Sequence, residues 1–299
     1  MILFNGKYSA EEQINIYGEM IDYTKQRLAS DNIVLEDVYS EDYNFETADK
    51  FRNAYVNIVR LSKALSSGVR GEELAFRSLT FLDCNARILR SVQTPSYKPQ
   101  LSVEHDIIMI THKAIFTVEV KNLNAPKVII TEQGVMIQEN SRGEVKVCKN
   151  VVQQSRWHQT SIRKLLQGTR FEKVRVVPVL MFTNDMCSFE NRFSDDNNSA
   201  DFCCCYRATA DKVIRNCGYS QCLTLEDMAE IEEIIKSASD SYSPRGYDLC
   251  VGVEEYTELL ENFIEEVKEE RKRQEKLTSC SVDEIRKYLS SLLISHNKN

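Results

Sequence analysis

Asp106, Glu119 and Lys121 are charged residues within VEHDIIMITHKAIFTVEVKN, residues 103 to 122, a stretch otherwise rich in Ile, Val, Met and Phe. Apolar strands of this kind belong in an interior, where a charge is costly unless something pairs with it. The stretch reads as strand, turn, strand centred on THKA. An even-numbered loop about His112 and Lys113 sets Asp106 directly opposite Glu119, and Glu104 opposite Lys121, with Cβ atoms about 5 Å apart on one face. Alternation along the strand brings Lys121 to the face of Glu119. His-Lys is a poor two-residue turn, so a four-residue loop with the same pairing is expected.

Facing carboxylates repel, and burial sharpens the repulsion. A hard divalent cation between them removes it, because Mg²⁺ (or Mn²⁺) takes carboxylate oxygens and keeps several waters. Lys121 beside such an ion can stabilise charge building up on a phosphate oxygen or orient the attacking water, which suits phosphodiester hydrolysis. The alternative is a plain salt-bridge cluster of Glu104, Asp106, Glu119 and Lys121 that holds no ion.

Two further motifs bear on the choice. GVRGEE (68 to 73), the hairpin, and NVVQQSRWH (150 to 158) follow one another in that order. Together they resemble the nuclease-related domain, NERD, a branch of the PD-(D/E)XK nuclease superfamily, over about residues 66 to 182. The resemblance implies an α/β fold with a restriction-endonuclease-like core, a central mixed sheet flanked by helices. It also implies a metal-dependent nuclease, acting on DNA rather than RNA, in bacterial defence or DNA processing. Carried onto this chain, it makes Asp106 and Glu119 the metal ligands and Lys121 the catalytic lysine. Glu72, from the family's Gly-x-x-Gly-Glu, and Gln154 on the following helix support them, with His158 one turn on. The chain departs from the family in Val151, where proline often follows Asn150, and in His105, where an apolar residue is usual. His105 either adds a ligand or points to the other face.

Glu72 is expected near the start of a helix from about Glu72 to Leu82, where the positive end of the dipole lowers a carboxylate's pKa. Its plain alternative is a first-turn helix charge. Gln154 and His158 share a helix face with Ser161 and Leu165. His158 reaches the site or a phosphate in one reading and is a partly buried helix histidine in the other. Arg156 and Arg163 fall nearly opposite Gln154, so they are not expected to be catalytic. Any function of theirs would be contact with nucleic-acid backbone elsewhere or with another part of the protein. Lys146 and Lys149, on the approach to this helix, are better candidates for phosphate contacts.

The elements that must position these residues are legible from periodicity. Helices are expected over 10 to 29 and 45 to 66, with SSGVRGEEL interrupting before the helix that carries Glu72. Strands are expected at 86–92, 102–110, 115–120, 128–131, 135–138, 145–148 and 174–182, with the Gln154 helix ending at Gly168. TPSYKPQ reads as a loop, residues 184 to 201 as a mobile polar excursion, FCCCYRATA as a strand, and TLEDMAEIEEIIKSA as a helix capped by Thr224 and Asp227. DSYSPRGYD resembles a linker. The organisation expected is a helical region over 1–65, a nuclease-like domain over 66–240 and a helical region over 245–299. In the last, Leu249, Val253, Tyr256, Leu260, Phe263 and Val267 form a short heptad seam. It packs against the chain's own N-terminal helices or forms a homodimer contact.

Composition narrows the class. A net charge of −7 argues against a uniformly cationic nucleic-acid binder, yet nine Lys or Arg lie against two Glu between Arg142 and Arg175. That local excess suits a polyanionic partner. Ten cysteines form no CxxC pair, and Cys217 and Cys222 are too far apart for a zinc knuckle, so reduced thiols in a cytoplasmic protein are expected. The opening MILFNGKYSAEEQ lacks the apolar core of a signal peptide, and no apolar run of about 18 residues suggests a membrane span. Two other functions stay open: an idle nucleic-acid-binding or sensing module of the same fold, and a scaffold with structural hairpin charges.

Overall fold

The structure is a computed structural model that describes residues 8–39, 43, 46–82, 85–96, 102–193, 202–216, 222–242 and 248–279. In chain order, α1 is Ala10–Ser30, α2 is Glu46–Thr80, β1 is Arg87–Pro95, β2 is Ser102–Ile110 and β3 is Ile115–Lys121. A second group follows: β4 at Lys127–Ile130, β5 at Val135–Glu139, β6 at Val145–Asn150 and α3 at Val151–Leu166. Then come β7 at Val176–Phe182, β8 at Ser188–Asn191, β9 at Cys203–Tyr206, α4 at Ala210–Arg215, α5 at Leu225–Ser239 and α6 at Val253–Ser279.

The fold is mixed α/β, as the sequence implies, and holds two mixed sheets. The first runs β1-β2-β3-β7-β9, antiparallel up to β3 and parallel from β3 onward. The second runs β6-β5-β4-β8 and lies in sequence between β3 and β9, an addition to the single central sheet expected. Every residue of β7 is buried, which is why VVPVLMF shows no polar alternation.

Both faces of the first sheet are covered. On one side Ala75 and Leu79 of α2, with Ala210 and Ile214 of α4, pack on Ile107, Met109, Phe116, Val118 and Val179. On the other, Ile162 and Leu166 of α3, with Ile231 and Ile235 of α5, pack on Leu89, Ile108, Ile110, Ile115 and Val176. A third cluster joins Val151 and Val152 at the head of α3 to Val128, Ile130 and Met136 of the second sheet and to Leu180 and Phe182. This pins the start of α3, and hence Gln154, to both sheets.

Two expectations about elements are corrected. α2 does not break at SSGVRGEEL; it continues through Gly68 and Gly71. Each glycine costs about 1 kcal/mol in a helix interior, but packing of Ala75 and Leu79 outweighs that. Part of the polar excursion is strand: β8 pairs in parallel with β4, and Phe189 stacks on Phe182 with ring centroids 4.8 Å apart. Residues 194–201 of that excursion lie outside the described residues, as do most of the TPSYKPQ loop and of the DSYSPRGYD linker. Thr224 caps α5 as expected, with Asp227 completing the capping box.

By internal packing the chain divides into two units, Met1–Glu11 with Ala64–Tyr247, and Glu12–Lys63 with Asp248–Asn299. In the second unit Tyr256, Leu260, Phe263 and Val267 are buried. Phe263 stacks on Phe51 of α2 at 4.9 Å, and the Tyr256 hydroxyl lies 2.6 Å from Thr24 Oγ1 of α1. The heptad seam therefore packs against the chain's own helices. Among the described residues no helix is long and apolar enough to cross a membrane. The seven described cysteines are free thiols.

Candidate active site

The hairpin has the expected register. Ile107 pairs with Val118 and Ile110 with Ile115, leaving a four-residue loop. The ladder stops there, one residue short of Asp106 and Glu119. The Val120 N–H, facing the gap, donates instead to Asp106 Oδ2 at 2.7 Å.

The first strand pair explains the gap. In β1, Leu89 and Val92 both pack toward the α3 side although they are three residues apart. In β2, Ile108 and His105 do the same, the His105 ring lying 4.8 Å from that of His158 on α3. Side chains alternate faces along a strand, so the alternation inverts once in each. The inversion falls at Ser91 and Asp106, which the otherwise regular ladder skips between Arg90↔Ile107 and Val92↔His105. Ser91 has φ +50°, a conformation that non-glycine residues adopt only at a cost.

Glu119, only 4% exposed, is the hub. Its Oε1 accepts from Lys121 Nζ at 2.5 Å and from Gln154 Nε2 at 2.8 Å, and His158 Nδ1 lies 3.6 Å from Oε2. The structure thus joins Lys121 and Gln154 to Glu119 through hydrogen bonds, with Asp106 beside them. Gln154 Oε1 is buried with no partner among the described residues, an acceptor facing the cost of an unmade hydrogen bond.

Glu72 approaches from α2. Here the expectation of a first-turn position is corrected: α2 begins at Glu46, so Glu72 is far from the positive end of its dipole. Burial pushes its carboxyl up, Glu104 and Glu119 add to this, and Arg90 and Lys121 oppose it. Gly71 makes the approach possible, because a Cβ there would meet Asn122 Cβ at 2.5 Å and Thr183 Oγ1 at 3.1 Å. Asn122 Nδ2 donates to Ser67 O at 2.8 Å and Ser67 Oγ donates to Asn122 O at 3.0 Å, tying α2 to the end of β3. Gly71→Ala is expected to force these elements apart, with a loss of about 1–3 kcal/mol as for overpacked cores. Thermal denaturation measures the loss, and an unchanged melting temperature would show the contact to be slack.

Gly134 plays the matching part for α3. It has φ +80°, and a Cβ would meet Val152 Cβ at 2.7 Å. The α3 cap sits directly behind it: Asn150 Oδ1 accepts from Gln153 N at 2.8 Å, and Asn150 Nδ2 donates to Gln133 O at 2.9 Å. Val151 in place of proline therefore leaves helix initiation intact.

The electrostatics follow from this crowding. Burial pushes the Asp106 carboxyl well above the usual aspartate range, repulsion from Glu119 and Glu72 adds to the rise, and the Val120 N–H opposes it. For Lys121 burial acts downward, but Glu119 and Asp106 outweigh it and hold the ammonium above its ordinary value. His158 is lowered by burial, and His105 is lowered well below the usual range by burial and then by His158.

His158, the candidate for nucleic-acid contact, is 4% exposed, with its Nδ1 turned to Glu119 Oε2 at 3.6 Å. His105 is no ligand to the site. It is fully buried, with Nε2 2.7 Å from Thr94 Oγ1, which in turn meets Ser161 Oγ; Ser161 Oγ donates to Pro95 O at 2.7 Å. Residue-by-residue alternation could not reveal this buried polar chain, because the inversion at Asp106 turns His105 inward; its only sequence signal is a histidine amid apolar neighbours. Lys146 and Lys149 are exposed on β6, an edge strand of the second sheet.

The donor set is oxygen-only, from carboxylates whose mutual repulsion a hard divalent cation relieves, and in that respect it fits Mg²⁺ or Mn²⁺. Among the described residues no group of three or more His, Cys, Asp or Glu forms a ready metal cage. An ion here would rest on two carboxylates and water.

A mixed sheet carrying an aspartate and a Glu-x-Lys on its central strands, with a helix glutamine bound to the glutamate, defines a PD-(D/E)XK-like nuclease core. Residues 67–183 match the family model of the nuclease-related domain, NERD, which belongs to the PD-(D/E)XK-like nuclease superfamily. No curated protein and no solved structure matches the chain.

Proposed function

We propose that this nuclease-related domain hydrolyses phosphodiester bonds in DNA with Mg²⁺ or Mn²⁺ as cofactor. One observation carries the reading: at the open end of the hairpin Asp106 Oδ2 accepts the Val120 N–H at 2.7 Å, while Glu119, 4% exposed, accepts from Lys121 Nζ at 2.5 Å and Gln154 Nε2 at 2.8 Å, so that two carboxylates and an ammonium converge. Folding concentrates like charge where stability alone would disperse it, a signature of functional sites.

Asp106 and Glu119 would hold the ion. Bound there, a divalent ion supplies charge stabilisation and a more acidic water. Lys121 keeps its proton on Nζ and stabilises negative charge on a phosphate oxygen. Gln154 orients Glu119 through Nε2 and offers Oε1 to a water or substrate donor. Glu72 extends the negative recess, and Lys146 and Lys149 offer exposed cations to the backbone.

Calorimetric titration of Mn²⁺, followed by assays on plasmid and single-stranded DNA with Mg²⁺, Mn²⁺ or EDTA, tests the reading. Saturable binding and cleavage lost in EDTA are expected. Intact DNA under both metals, with no heat of binding, would refute it.

A second reading, an idle nucleic-acid-binding module, draws support from Glu119, whose two oxygens already have protein neighbours. DNA binding that weakens with salt, persists in EDTA and never leads to cleavage is its expected signature.

A further inference from the structure

We propose that His158 is a positioning residue: its ring holds Glu119 in the orientation that presents Oε2 to a divalent ion, and a buried chain of polar side chains holds the ring. The inference rests on the reading of Glu119 as a metal ligand.

The two oxygens of Glu119 differ in what they have left to offer. Oε1 accepts from Lys121 Nζ at 2.5 Å and from Gln154 Nε2 at 2.8 Å, which occupies both of its lone pairs. Oε2 has His158 Nδ1 as a neighbour at 3.6 Å. That separation is longer than a hydrogen bond, so the ring attracts Oε2 without occupying it. Oε2 is then the oxygen with lone pairs for an ion. Burial lowers His158 and outweighs the opposing pull of Glu119, which keeps the ring neutral. A neutral ring carries one N–H. Beside a carboxylate that proton belongs on Nδ1, because a lone pair there would face negative charge.

Support for the ring comes from behind it. The His105 ring lies against that of His158, with centroids 4.8 Å apart and planes at 55°. His105 is anchored in turn, its Nε2 lying 2.7 Å from Thr94 Oγ1, which meets Ser161 Oγ; Ser161 Oγ donates to Pro95 O at 2.7 Å. Each hydroxyl has a single proton, so the chain runs in one direction. Ser161 uses its proton on Pro95 and accepts that of Thr94, for which the Val103 carbonyl at 3.5 Å is a poor competitor. Thr94 therefore accepts from His105, whose proton must sit on Nε2. The other nitrogen, Nδ1, is left as a lone pair, in keeping with its lack of a hydrogen-bond partner among the described residues.

Thr94, His105, Ser161 and His158 are all buried. Apolar side chains of the same shape would serve packing as well or better. A polar chain that fixes a tautomer and ends on Glu119 has a use that apolar packing does not supply.

His158→Phe keeps a ring to pack on His105 and removes the N–H. Calorimetric titration should show it binding Mn²⁺ roughly 10- to 100-fold more weakly than wild type, the usual effect of losing a group that orients a metal ligand. His158→Asn, whose amide nitrogen is as many bonds from the backbone as Nδ1, should recover most of that affinity. Ser161→Ala, at the far end of the chain, should cause a smaller loss. Long-range ¹H–¹⁵N spectra of the metal-free wild type at neutral pH read the tautomers without any metal. They should show the His158 proton on Nδ1 and the His105 proton on Nε2.

Equal Mn²⁺ affinity in wild type and folded His158→Phe overturns the proposal, and so does a His158 proton on Nε2. Metal-dependent cleavage by the wild type leaves the nuclease reading standing in either case. A wild-type protein that takes up no Mn²⁺ removes both.

Discussion

Asp106→Asn is expected to abolish metal-dependent cleavage and at the same time to raise the melting temperature of the metal-free protein at neutral pH. Asparagine keeps a carbonyl oxygen for the Val120 N–H that Asp106 now accepts at 2.7 Å. It removes the charge that burial, Glu119 and Glu72 oppose. Loss of one unfavourable charge is worth about 1 kcal/mol or more, a rise of roughly 2–4 °C for a domain of this size.

The pH dependence provides the control. A carboxyl raised by folding binds more protons in the folded state than in the unfolded chain between its two pKa values. Stability of the wild-type apoprotein should therefore fall as pH climbs from about 3.9, the ordinary aspartate value, through the raised folded value, and then level off. In EDTA that decline should be shallower in Asp106→Asn. A variant that melts lower than wild type at neutral pH, or that cleaves normally, would remove Asp106 from the role assigned to it.

Lys121→Met should have the opposite effect on stability and a comparable effect on catalysis. The ammonium is the charged partner of buried Glu119 at 2.5 Å, and without it Glu119 retains Gln154 as its hydrogen-bond donor. A buried carboxylate stripped of one charged partner costs about 1–3 kcal/mol, so the melting temperature drops. The cleavage rate at saturating metal and DNA is expected to fall by about 10²–10³-fold, as when one preorganised donor to a developing oxyanion is removed. Lys121→Arg should rescue stability better than rate, because a planar fork cannot take the place of a compact ammonium. Single-turnover cleavage and calorimetric melting, measured on the same samples, separate the two effects. A rate within a factor of a few of wild type in Lys121→Met would exclude the lysine from the chemistry.

The hairpin was legible because its alternation and its THKA loop leave one sensible register, and Ile107↔Val118 through Ile110↔Ile115 follow it. Gln154 was legible because helical spacing and a family motif agree. Glu72 was legible as a residue but not as a location. Two glycines in SSGVRGEEL suggest a break, whereas α2 runs on, because Gly71 is there to let the helix meet Asn122. A glycine that ends a helix and one that allows close packing look the same in a sequence.

What the sequence determined by itself is the chemistry on offer: acids, a lysine and a glutamine in a fixed order, on strands and helices set by local periodicity. Tertiary structure decided how that chemistry is arranged. It inverted the strand faces at Ser91 and Asp106, turned His105 and His158 inward behind Glu119, and left Trp157 facing out. The reason is physical: periodicity is read along one strand or helix at a time. An inversion shared by two strands, or a helix–strand contact that only glycine permits, exists only when both partners are in place.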